Sequence, residues 1–104
     1  MEKTVKIDGK DVRLKSSAAL PLKYKAQFGR DFFKDIDSEN RDTEVLFNVI
    51  WVLAKAADNS IPDVIEWIDS FEAFPVFRVF GEANELVILS MGTTEKNAQT
   101  VAEE

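Results

Sequence analysis

A chain of 104 residues with 45% hydrophobic content is long enough for one modest core and too apolar for a disordered segment. It has neither cysteine nor histidine, which removes disulfides, thiolate chemistry, the commonest general base and the commonest transition-metal ligand. A net charge of −6 disfavours duplex nucleic acid, whose phosphates repel an acidic protein.

The charge is unevenly spread. Residues 1–36 carry nine Lys/Arg against five Asp/Glu, and residues 37–104 carry four against fourteen. Either the basic third packs on the acidic remainder, or copies of the chain meet head to tail. The opening MEKTVKIDGKDVRLK is charged throughout and does not read as a secretory signal. No apolar run approaches the ~20 residues that a membrane span needs.

Residues 3–15 read as a β-hairpin. Val5 and Ile7 alternate with Lys6 and Asp8, Val12 and Leu14 flank Arg13, and Asp8-Gly9 supplies the positive φ angles of a tight turn. Such a hairpin is marginal alone and needs helices or another chain to cover its apolar face. Pro21 suits the first turn of a helix over about 21–28, and Gly29 is its expected stop. A short helix over 31–36 carries Phe32, Phe33 and Ile36.

The polar loop DSENRD, residues 37–42, leads into a helix over 43–57 with Asp42 or Thr43 as cap. Its polar residues Glu44, Asn48 and Lys55 fall within an arc of about 40°. The rest of its surface is apolar, so it is expected to be central or covered by a partner. Ser60 and Asp63 are spaced as a capping pair around Pro62 for a helix over 62–71. That helix places Val64, Ile65, Trp67, Ile68 and Phe71 on one side. Pro75 opens a last helix over 75–91, with an apolar arc of about 200° and a weak point at Gly81. Residues 93–104, TTEKNAQTVAEE, read as a flexible, disordered acidic tail. The expected architecture is α+β: one domain over 1–92, an N-terminal β-hairpin packed on four to five α-helices.

Chemistry-bearing patterns are few. Glu66/Asp69 and Glu82/Glu85 have metal-compatible i, i+3 spacing, which is also that of any solvated helix face. Ser16-Ser17 lacks a base. KYKAQFGRDFFK, residues 23–34, interleaves basic and aromatic residues as a single-strand binder would, and equally as a core helix with solvated lysines would. There is no glycine-rich phosphate loop. The chain is therefore expected to be no enzyme, with no catalytic residue, no cofactor and no metal site.

The positive feature is aromatic content: eight Phe and two Trp. The two long helices present more apolar surface than one small core readily hides. Phe47, Trp51, Phe77, Phe80, Ile88 and Leu89 are the residues expected to meet a partner.

The order of segments resembles a known family. A hairpin with LKSSAA comes first, then PLKYKAQFGRD at 21–31, FNVIWVLAKAAD at 47–58, IPDVIEWIDSFEAF at 61–74, and an apolar helix followed by TT and a polar tail. This is similar to the tail assembly chaperones of long-tailed phages and prophages of Gram-positive bacteria, over most of residues 5–97. Leu20 stands where that family usually has Thr or Asn before the proline. The resemblance implies a protein of the bacterial host cytoplasm that coats the tape measure protein until tail tube subunits replace it, and that is left out of the mature virion. The implied partners are the tape measure protein, the tail tube protein and further copies of the chain, with no nucleic acid and no membrane. The alternative class is a small acidic phage-encoded inhibitor or regulator that binds a host protein.

Overall fold

The computed structural model describes residues 1–37, 39 and 41–92. An antiparallel hairpin, β1 (Glu2–Ile7) and β2 (Lys10–Lys15), is followed by five helices: α1 (Leu20–Phe28), α2 (Phe32–Ile36), α3 (Thr43–Ala57), α4 (Val64–Asp69) and α5 (Val76–Met91). The fold is α+β, as expected. The expected tail, 93–104, lies outside the described residues.

The hairpin forms because its alternation and its turn agree. Val5 pairs directly with Val12, and Ile7 with Lys10. Asp8 and Gly9 both take positive φ, 55° and 77°, the geometry a two-residue turn imposes. Val5, Ile7 and Leu14 then point into the core and are buried.

Helix α3 is the central element. It packs on β2, α5, α1 and α4, and Val45, Leu46 and the run Val49–Ala54 are buried. Asp42 caps it, its side chain accepting from the Val45 N–H at 3.1 Å. The buried face of α5 comprises Val76, Val79, Phe80, Ala83, Leu86 and Val87. Gly29 and Gly92 end α1 and α5 with φ of 70° and 72°, left-handed caps that favour glycine.

The basic third meets the acidic remainder along β1 and α5. Lys3 donates to the Glu82 carbonyl at 2.9 Å and lies 3.9 Å from the Glu85 carboxylate. Arg78 donates to the Lys6 carbonyl at 2.7 Å. Among the described residues, no helix is long and apolar enough to cross a membrane.

Three expectations are corrected. Helix α4 spans 64–69, not 62–71. Pro62 stays outside it, its carbonyl accepting from Trp51 Nε1 at 2.8 Å, and Ser60 is turned back onto Asp58 rather than serving as a cap. Asn48, grouped with Glu44 and Lys55 in the polar arc of α3, is separated from them by burial. The apolar surplus attributed to the two long helices is largely absorbed, because the hairpin, α1 and each other cover them.

Candidate functional site

An open apolar groove lies beside the N-terminal half of α3. One wall is α3 itself, through Thr43, Glu44, Phe47 and Asn48. The facing wall is α4, through Val64, Ile65, Ile68 and Asp69. The connection from α4 to α5 closes one side with Phe71, Glu72 and Phe74, and Phe28 at the end of α1 also lines it. The volume of the groove is about 760 Å³.

Local structure explains why this connection folds back. Ser70 ends α4, its hydroxyl donating to the Trp67 carbonyl at 2.6 Å, and the Phe71 N–H reaches the Ile68 carbonyl at 3.1 Å. Asp8, at the hairpin tip, accepts from the Glu72 N–H at 3.0 Å. Pro75 biases the residue before it toward extended backbone, and α5 begins just after. Phe74 is thereby laid against three rings, with centroid separations of 5.5 Å to Phe47, 5.8 Å to Trp67 and 5.5 Å to Phe71. Tilted and edge-on pairs of this kind contribute about 0.5–1.5 kcal/mol each beyond burial. The groove therefore has a packed aromatic floor. Its outer edge is Ile65, 81% exposed.

The charged lining residues, Glu44, Asp69 and Glu72, are all carboxylates, and no Lys or Arg lines the groove. The surface is apolar at its base and negative at its rim.

Beneath the groove lies a buried polar network. Asn48, buried on α3, faces the Tyr24 hydroxyl, which donates to Asp35 Oδ2 at 2.8 Å. Arg30 grips both Asp35 oxygens, with Nη2 2.9 Å from Oδ1. Burial, then the neighbouring Asp35, pushes the Tyr24 phenol well above its usual range. Arg30, then the Tyr24 hydroxyl, holds the Asp35 carboxyl below the usual carboxylate range against the opposing effect of burial. The network fixes the corner between α1 and α2 and anchors α3 to it.

A second recess of about 470 Å³ lies across α3, lined by Arg41, Asp42, Thr43, Leu46, Phe77, Phe80 and Gly81. It shares Thr43 with the groove. Phe77 stands at its edge, 73% exposed.

The chain matches no family model, no curated protein and no solved structure at a significant level.

The six residues expected at a partner surface divide into three groups. Phe47 lines the groove and Phe77 the second recess. Trp51 and Phe80 are corrected to core positions, 4% and 8% exposed. Trp51 is consumed in holding the α3–α4 connection through Pro62 and in an edge contact with Phe28 at 5.9 Å. Phe80 keeps only an edge in the second recess, with the Arg41 guanidinium 5.4 Å from its ring. Ile88 and Leu89 are half-buried on the last turns of α5 and line neither depression.

Sequence reasoning missed Ile65, Ile68 and Phe74 as site residues. The signal for Ile65 was present. Val64, Trp67, Ile68 and Phe71 make a continuous helical stripe, and Ile65 lies about 60° beyond its edge. Among the described residues, no group of three or more carboxylates is placed to hold a metal ion. The Glu82/Glu85 pair is instead engaged by Arg78 and Lys3.

Proposed function

We propose that this chain is a phage tail assembly chaperone, acting by binding and without catalysis, whose client is the tape measure protein. The observation that carries the reading is the open aromatic groove with its carboxylate rim, where several apolar side chains gather on one exposed depression. The order of the FGRD and IPDVIEWIDSF segments supports it, by resemblance.

The physics of the task fits such a surface. A long apolar ruler chain aggregates if left bare. Many copies of an acidic protein, each covering a short apolar stretch, keep the complex soluble through net charge. Single contacts must be weak enough for tube subunits to displace them, and repetition along the ruler supplies the avidity.

The test is co-expression with the tape measure protein of the same tail gene cluster. The expected result is a tape measure protein that is insoluble alone and that co-elutes with several copies of this chain when both are made. A tape measure protein that stays insoluble, or that elutes free of this chain, overturns the proposal in favour of a regulator directed at a host protein.

A further inference from the structure

We propose that the groove between α3 and α4 receives an amphipathic α-helix of the client, one whose apolar stripe is flanked by Lys and Arg. This rests on the chaperone reading above and names the kind of client segment that the site accepts.

Two observations select a helix over an extended peptide. Every lining residue comes from α1, α3, α4 or the α4–α5 connection, so no strand edge is present to extend by backbone pairing. The walls are two helices separated by an aromatic floor, the geometry in which an i, i+3/i+4, i+7 row of side chains inserts. Ile65, on the rim, meets the flank of such a stripe, and Phe47 and Phe74 meet its centre.

The sign of the flank follows from the rim. Glu44, Asp69 and Glu72 are exposed and no Lys or Arg lines the groove, so three carboxylates outnumber the nearby cations, Lys10 over the Phe71 ring and Arg30 near Glu44. An incoming helix with acidic flanks is repelled at three points, and one with basic flanks is steered in. The chain's own residues 93–104 contain three Glu and one Lys, the wrong sign for this site. A second copy offers the right sign on α1 and α2 but not the stripe. Leu22 and Phe33 are exposed there, 74% and 58%, but Lys25, Ala26 and Gly29 occupy the positions three, four and seven residues after Leu22, and α2 is only five residues long.

The probe is a helix-forming peptide of about 18 residues, roughly five turns, with Leu at i, i+3, i+4, i+7 and i+11 and Lys on both flanks. A matched peptide carries Glu in place of Lys. Binding to the full chain is read by fluorescence anisotropy at low and high salt. The Lys peptide is expected to bind at least tenfold tighter than the Glu peptide, and the gap should narrow as salt screens the rim. The double substitution Asp69→Lys with Glu72→Lys should reverse the preference. Ile65→Asp should weaken both peptides at least tenfold with an unchanged melting temperature. Equal affinity for the two peptides overturns the proposal. So does insensitivity to Ile65→Asp, or a wild-type dimer that Ile65→Asp dissolves, which would assign the groove to a second copy. Peptide binding that persists while the tape measure protein fails to co-elute removes the chaperone reading alone. A co-eluting tape measure protein with no peptide preference removes the groove assignment alone.

Discussion

Tyr24 donates its phenolic hydrogen to Asp35 across 2.8 Å, with both side chains buried. With the edge-on packing of Tyr24 on Phe32, this contact links α1 to α2, and Arg30, reaching in from the surface, makes the carboxylate tolerable there. A buried charge is stable only when paired and hydrogen-bonded. Here a guanidinium and a phenol provide both, and Asn48 of α3 faces the phenol.

Asp35→Asn should therefore destabilise the fold by about 1–3 kcal/mol at neutral pH, the scale of a lost hydrogen bond to a charged group. The loss should depend on pH in a defined direction. Arg30 chiefly, with the Tyr24 hydroxyl, depresses the carboxyl in the folded state, so the unfolded chain binds that proton more readily. The stabilisation is complete above the unfolded carboxylate value of about 4 and fades as pH falls through the folded value. Urea unfolding of the wild type and Asp35→Asn should differ at pH 7 and converge below about pH 4. A difference that holds constant to pH 3 contradicts this account.

Phe77 and Phe80 sit three residues apart on α5, at 73% and 8% exposure. Phe80→Ala should cost about 3–5 kcal/mol, as buried aromatic truncations do. Phe77→Ala should change stability by no more than about 0.5 kcal/mol. Thermal melts of the two variants check which face α5 turns inward.

Two glycines should respond oppositely to alanine. Gly81 lies within α5, and an added Cβ there meets nothing within 4 Å. Gly81→Ala should therefore stabilise by about 0.5–1 kcal/mol. Gly29 also has open space but holds φ at 70°. Gly29→Ala should destabilise by about 1–2 kcal/mol on backbone grounds alone. Denaturant midpoints read both.

The elements were legible where local signals agree. Asp8-Gly9 between alternating runs made the hairpin readable, and Gly29 and Asp42 marked helix ends because their roles depend only on neighbouring backbone. Positions decided by distant partners were not legible. Asn48 reads as one of three polar-arc residues until Tyr24, from another helix, is brought against it. Pro62 reads as a helix start until Trp51 takes its carbonyl. The same limit applied to the candidate site. Phe47 was found because α3 is so apolar, whereas Phe74 became a site residue only through the backward fold of 70–75 and its contacts with three other rings. Trp51 and Phe80 were misassigned because aromatic richness measures how much apolar surface exists, not which of it the fold covers.

The central claim is that the α3–α4 groove is where the client docks. The most direct measurement is amide hydrogen exchange of the chain, free and in complex with the tape measure protein, together with co-purification of Ile65→Asp. Binding is expected to slow exchange in Thr43–Asn48 and Val64–Phe74, and Ile65→Asp should fold normally yet fail to co-purify. Unchanged exchange in those two segments, with Ile65→Asp still holding the tape measure protein, would contradict the account.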